Sequence, residues 1–169
     1  MRIGQRLGMI TSVVLLSACA SVPPFSEREV CAPANDSTAR VTVAYNKREQ
    51  PLLLRTERHN AQTVFVALDT IGSPQFSATL NAGQLQLDVS PWYRGLDPQA
   101  LVWGYYWWSL PKQTRKECAE SAGLQLQQVG STITLTQSGR SVWRWSPLQA
   151  QQYHLPQQGG RVSVVPLKR

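Results

Sequence analysis

Histidine, carboxylates and enzyme signature motifs are all scarce in this chain of 169 residues. It contains no Gly-x-Ser-x-Gly elbow, no His-Glu-x-x-His zinc motif and no glycine-rich phosphate loop. The two histidines are His59, beside an expected turn, and His154, in a polar glutamine-rich stretch. Carboxylates are few, with Asp69, Asp88 and Asp97 at the ends of expected elements, so nothing assembles a general acid–base pair. The expectation is a protein that is not an enzyme, with no cofactor and no metal. Blocks of basic residues are missing too. The 17 lysines and arginines are scattered, which argues against nucleic acid and suits a solvated surface facing anionic lipid or an acidic protein. Long hydrophobic runs are absent as well: Leu7 to Leu16 is the most apolar stretch, and a bilayer span takes roughly 20 residues.

That short run sits in a recognisable frame. It follows the basic segment Met1-Arg-Ile-Gly-Gln-Arg6 and leads into Leu16-Ser17-Ala18-Cys19. A charged start, a brief apolar core and small residues before a cut are the layout of a secretory signal. The ending resembles the lipobox of bacterial lipoproteins. That resemblance implies cleavage before Cys19 and acylation of Cys19 with palmitate-type chains, two or more of which anchor a protein stably. Ala20 stands where an aspartate commonly retains such proteins at the inner membrane. The expected location is therefore the periplasmic face of the outer membrane. Residues 1–18 read as the signal, 19–38 as a lipidated tether with Pro23, Pro24 and Pro33, and 39–169 as one domain. Losing Arg2 and Arg6 with the signal lowers the formal charge from +7 to +5.

Cysteine is rare, and with Cys19 lipidated only Cys31 and Cys118 remain. An oxidising periplasm favours pairing them, and closing so long a loop stabilises by about 4 kcal/mol in the chain-entropy model. The alternatives are a buried thiol pair or a metal site, the latter disfavoured by the lack of a nearby histidine. The expected staple ties the N-terminal segment to the region after an aromatic helix.

What the chain has in quantity is alternation. Val41, Val43 and Tyr45 alternate with polar or small residues, as do Phe76, Ala78 and Leu80, and Leu85, Leu87 and Val89. Pro51 to Arg58 is a further segment, and Thr63 to Leu68 is apolar on both faces. The pattern resumes with Leu124 and Leu126, Ile133 and Leu135, Val142 to Trp145 and Val162 to Val165. Asn46-Lys47, His59-Asn60, Gly72-Ser73-Pro74, Asn81-Ala82-Gly83, Gly130-Ser131, Ser138-Gly139 and Gly159-Gly160 punctuate it as turns. The fold expected is mainly β, a meander of eight or nine short antiparallel strands.

One segment departs from it. Asp97-Pro98 is a capping acid followed by proline at the first helical position, and Gln99 to Leu110 runs to a stop at Pro111. Leu101, Tyr105 and Trp108 form one stripe, while Val102, Trp103, Tyr106 and Trp107 spread apolar surface over most of the rest. Such a helix is buried or lies against lipid. It either plugs the sheet as core, lines an acyl-binding cavity or dips into a membrane interface.

A lipoprotein with an antiparallel sheet interrupted midway by helices resembles LolB, the outer-membrane receptor that takes lipoproteins from a periplasmic carrier. The local likeness is Leu52-Leu-Leu-Arg55 through Ala67-Leu-Asp-Thr-Ile-Gly-Ser73, then Phe76 to Leu80 and Gly83-Gln-Leu-Gln-Leu-Asp88, about Leu52 to Leu110 in all. More closely than LolB itself, the chain resembles a family of short lipoproteins with LolB-like sheets, often encoded beside aryl-polyene lipid synthesis and export genes. The cysteine pair and the short chain depart from LolB itself. The resemblance implies a LolB/LolA-like curved sheet or open half-barrel, with the aromatic helix covering its concave face and holding acyl chains or lipoprotein cargo without covalent chemistry. Expected cavity residues are Val64, Val66, Leu68, Phe76, Leu85, Leu87, Trp103, Tyr106 and Trp107, each of which also reads as plain core. Ile71 before Gly72 matches the protruding transfer loop of LolB, and a periplasmic carrier is the implied protein partner.

A different class of function is structural: bracing an envelope export complex. Trp92-Tyr93 and the pair Trp143/Trp145, with Arg144 between them, decide between the two classes. On a strand those two tryptophans share one face, an exposed patch if outward and core if inward.

Overall fold

The computed structural model describes Cys31 and residues 36–60, 62–81 and 83–167. Cys19, the expected signal and most of the expected tether lie outside the described residues. Five strands come first: β1 (Ser37–Tyr45), β2 (Arg48–His59), β3 (Gln62–Leu68), β4 (Pro74–Asn81) and β5 (Gln84–Val89). Two helices follow, α1 (Pro98–Ser109) and α2 (Lys112–Ser121), and then β6 (Gln125–Val129), β7 (Thr132–Gln137), β8 (Arg140–Trp145), β9 (Gln152–Leu155) and β10 (Gly160–Pro166).

All ten strands form one antiparallel open sheet, in the order β5-β4-β3-β2-β1-β10-β9-β8-β7-β6. Each half is a meander of sequence neighbours. The halves join where β1 pairs with β10, Val41 opposite Val164 and Val43 opposite Val162. The two free edges are therefore β5 and β6, the strands that flank the helical segment, so α1 and α2 carry the chain from one edge to the other. Expected turns close the hairpins: Asn46 and Lys47 have φ of 49° and 61°, and Ser138 and Gly139 have 50° and 77°. Two consecutive left-handed residues match the right-handed twist of the strands they join.

Alternation decides the core. Ala39, Val41 and Val43 of β1, Leu52 and Leu54 of β2, and Phe65 and Ala67 of β3 are buried together on one face. Trp143 and Trp145 are buried as well, so the tryptophan face of β8 is core.

Helix α1 begins as its sequence dictates, the Asp97 carboxylate accepting from the Gln99 amide at 3.1 Å. It packs close enough to β8 and β9 for Gly104 and Leu101 carbonyls to accept from the Trp143 indole (3.1 Å) and the Tyr153 hydroxyl (3.3 Å). That approach explains a glycine in mid-helix, which costs about 1 kcal/mol against alanine. A Cβ at Gly104 would stand 2.5 Å from the Tyr153 ring and 2.9 Å from Leu155.

Two elements escape the alternation reading. Strand β9 has four residues, and its buried Tyr153 and Leu155 are hidden among glutamines. Helix α2 is polar but buries Arg115, Cys118 and Ala119, a stripe at helical spacing. Pro111, expected only to stop α1, is also the residue that starts α2.

Arg115 is 3% exposed and serves as the C-terminal cap of α1. Its Nε donates to the Trp107 carbonyl at 2.9 Å, and its Nη2 to those of Trp108 (3.2 Å) and Leu110 (3.0 Å). The guanidinium also lies over the rings of Trp143 and Trp145, 5.4 and 4.8 Å from their centroids. A cation is favoured at a helix C-terminus by the helix dipole. Burial pulls the Arg115 pKa down to about 10, which leaves it charged at neutral pH.

The expected staple is present. Cys31 and Cys118 are disulfide-bonded with Cα atoms 5.5 Å apart, and both are buried. The Tyr106 hydroxyl donates to the Cys31 carbonyl, fastening the same segment to α1.

Candidate functional site

The residues expected to line one cavity are divided by the sheet. Phe65 pairs with Thr56 and Ala78, and all three are buried. This phase sends Val64, Val66 and Leu68 to the opposite, half-buried face, away from the aromatic helix. The expectation of a shared lining is corrected there: a strand apolar on both faces leaves its phase open, and a one-residue slip exchanges the faces. Phe76 is core, edge-on to Tyr93 at 5.3 Å. Leu85 and Leu87 pair with Leu80 and Ala78 and pack at the rim of the core. Tyr106 is fully buried between the helix and the disulfide.

Trp103 and Trp107 do line a cleft. They stack one turn apart, centroids 6.3 Å apart and planes at 22°, with Tyr106 edge-on to each. The cleft, about 270 Å³ in volume, runs between α1 and the second meander. Its apolar wall adds Leu124, Val142, Trp143 and Leu155, with Gly104 and Ala122. Its polar lining is exposed or half-exposed: Asp97, Gln99, Gln137, Gln157 and Gln158. Alternation hints at Val142 and Leu124, but their juxtaposition with α1 depends on β1 pairing with β10, which no local pattern announces.

A second feature lies at the β3–β4 end of the sheet. The Asp69 carboxylate accepts from the amides of Ile71 (3.0 Å) and Ser73 (2.8 Å) and from the Gln75 side chain (3.2 Å). Gly72 completes the turn at φ +88°, a conformation that suits glycine. The loop is thus held by its own hydrogen bonds, with Ile71 at its tip 87% exposed. The Ser90 amide donates to the Gln75 carbonyl at 2.9 Å, so the loop carrying Trp92 runs beside it. Trp92 is 80% exposed. Two large apolar side chains therefore project from one rim.

No metal-type cluster of His, Cys, Asp or Glu occurs among the described residues, and none of their helices is long and apolar enough to cross a membrane. The His59 ring is an exposed partner of Glu57 at 3.2 Å.

Fold and site together define a disulfide-stapled open antiparallel sheet with an aromatic cleft beside its bridging helix. Compared with protein-family models and with curated protein sequences, the chain matches none of them.

Proposed function

We propose that this chain is an outer-membrane lipoprotein of the LolB-like kind, anchored through Cys19, that holds or transfers acyl-bearing cargo. The observation that carries the reading is the tryptophan-lined cleft. At about 270 Å³ it lies just below the roughly 300–1,000 Å³ of typical ligand sites. That size suits a segment of one acyl chain, not a whole lipid. Burial is worth about 0.8 kcal/mol per methylene, so roughly 5 kcal/mol for six carbons, enough to hold a chain and still release it to a membrane. The glutamine amides and Asp97 around the mouth favour an ester- or amide-linked acyl chain over a free carboxylate, which Asp97 repels. Holding such a chain requires no covalent catalysis. In this reading the aromatic helix forms a wall over the concave side of a LolB-like sheet, and a periplasmic carrier supplies the cargo.

A monoacylglycerol titrated into the full chain carrying Cys19→Ala tests this. Saturable change in tryptophan emission is expected, because Trp103 and Trp107 line the site. Ala100→Arg, which places a charged chain in the cleft from α1, is expected to abolish the change and keep the unfolding midpoint. A linear, unsaturated response, or one that Ala100→Arg leaves intact, contradicts the proposal.

The rim of Ile71 and Trp92 supports delivery at a lipid surface, since tryptophan favours the interface. Ile71→Glu is expected to weaken vesicle binding about tenfold at a stability cost within about 0.5 kcal/mol, the side chain being exposed. Normal vesicle binding and cargo delivery by Ile71→Glu would turn the rim into a protein contact and favour the assembly role in an export complex.

A further inference from the structure

A second cleft, of about 710 Å³, opens on the opposite face of the second meander. Its lining is basic: Lys47 and Arg48 from the β1–β2 hairpin, and Arg144, His154 and Arg161 from three successive strands. The registers place those three in one row. His154 of β9 pairs with Arg144 of β8 on one side and with Arg161 of β10 on the other. Their neighbours in sequence, Trp145, Tyr153 and Val162, are buried, so the row faces outward. Ala44, next in the row beyond Arg161, and Gly159, whose Cα has open space beside it, leave the cleft unobstructed.

Arg144 and Arg161 flank His154 from the strands on either side, so a protonated His154 stands directly opposite two like charges, an arrangement that destabilises a sheet. None of Lys47, Arg48, Arg144 and Arg161 has an ion pair with a carboxylate among the described residues. The one acid in the lining is Glu49. Convergent arginines in a concave site are the arrangement that recognises phosphate oxygens, through charge-assisted and often bidentate hydrogen bonds. We propose that this cleft is a binding site for a phosphate group, carried by a lipid headgroup or by a free phosphomonoester, with Arg144, Arg161 and His154 as its floor and Lys47 and Arg48 as its wall.

The site is expected to respond to pH. Burial, then Arg161 and Arg144, lower the His154 pKa from its ordinary value. The other ionisable groups facing it across the cleft are Tyr45, Lys47, Arg48 and Glu49. A bound phosphate offsets the two arginines and raises the His154 pKa. Binding of a phosphodiester headgroup, whose charge is constant in this range, therefore tightens as pH falls and His154 takes up a proton. For a phosphomonoester, protonation of the phosphate at about pH 6 offsets the gain. Without the anion the sign is opposite for stability: the unfolded chain binds the proton first, so His154 costs stability as pH drops below about 6.5.

The test follows the His154 imidazole by NMR in the full chain carrying Cys19→Ala, its signal assigned by His154→Gln. Inorganic phosphate, phosphatidylglycerol vesicles and phosphatidylcholine vesicles are titrated in turn, with chloride at matched ionic strength. Phosphate or anionic vesicles are expected to raise the His154 midpoint, and Arg144→Gln/Arg161→Gln to weaken binding about tenfold or more. That variant is also expected to be more stable than the parent in the absence of phosphate. A response to inorganic phosphate assigns a free phosphate group, and a response to phosphatidylglycerol alone assigns a headgroup. An equal effect of chloride, no shift with any probe, or a shift retained in the double variant overturns the proposal. Should the double variant fail to fold, Lys47→Gln/Arg48→Gln on the exposed hairpin gives the same reading with the same outcomes.

Discussion

Arg115→Leu is expected to lower the stability of the domain by about 3 kcal/mol, from hydrogen bonds to a charged group worth about 1.5–3 kcal/mol and cation–π contact worth up to about 2. Leucine fills much of the volume but donates nothing to the carbonyls of Trp107, Trp108 and Leu110, the last turn and end of α1. Those acceptors lie beside a buried aromatic core, and an unmade hydrogen bond there costs more than a made one contributes. Desolvating the guanidinium offsets part of the gain, as the fall of its pKa to about 10 indicates. Arg115→Lys is expected to fall between the two, because one ammonium cannot bridge three carbonyls and stack on two indoles together. Urea unfolding checks this. A loss under about 1 kcal/mol for Arg115→Leu, at an unchanged m-value, would mean that α1 ends securely without its cap.

The second large effect concerns the disulfide. Cys31→Ala/Cys118→Ala is expected to cost about 4 kcal/mol, or about 12 °C in Tm for a domain of this size. The cross-link spans 87 positions and joins the segment before β1 to α2, elements with no strand pairing between them. Its loss frees the unfolded chain and also loosens the contact of Tyr106 with the Cys31 carbonyl. The sheet itself is continuous without it, so far-ultraviolet circular dichroism below the transition should not change. A variant that melts with the parent would show that the helices are held by packing alone.

Much of this architecture could be read from residues in order. Turns with Asn46-Lys47 and Ser138-Gly139 announced their hairpins, and Asp97-Pro98 with Pro111 bracketed α1. Each of these is a local signal, fixed by backbone preference or by a cap. What was hidden depends on partners distant in sequence. The phase of Thr63 to Leu68 rests on Phe65 meeting Thr56 and Ala78, and reading it the other way put Val64, Val66 and Leu68 on the wrong side for a lining shared with α1. In sequence Arg115 reads as one more surface cation of a polar segment. Only the return of the chain beneath α1 makes it a cap, and only the row formed by β8, β9 and β10 turns three scattered basic residues into a cleft.

Trp103 and Trp107 were legible as aromatic excess, and the structure puts both in one cleft. Leu155 was not, because β9 is four residues long and flanked by glutamines. The lipid-handling account rests on that cleft accepting an acyl chain. Native mass spectrometry of the full chain with Cys19→Ala, recovered from the periplasm without detergent, tests it most directly. The account predicts an added mass matching one acyl-bearing molecule per chain, lost in Ala100→Arg. A clean unliganded mass, with no uptake of added monoacylglycerol, would contradict it and leave α1 as a plug of the core.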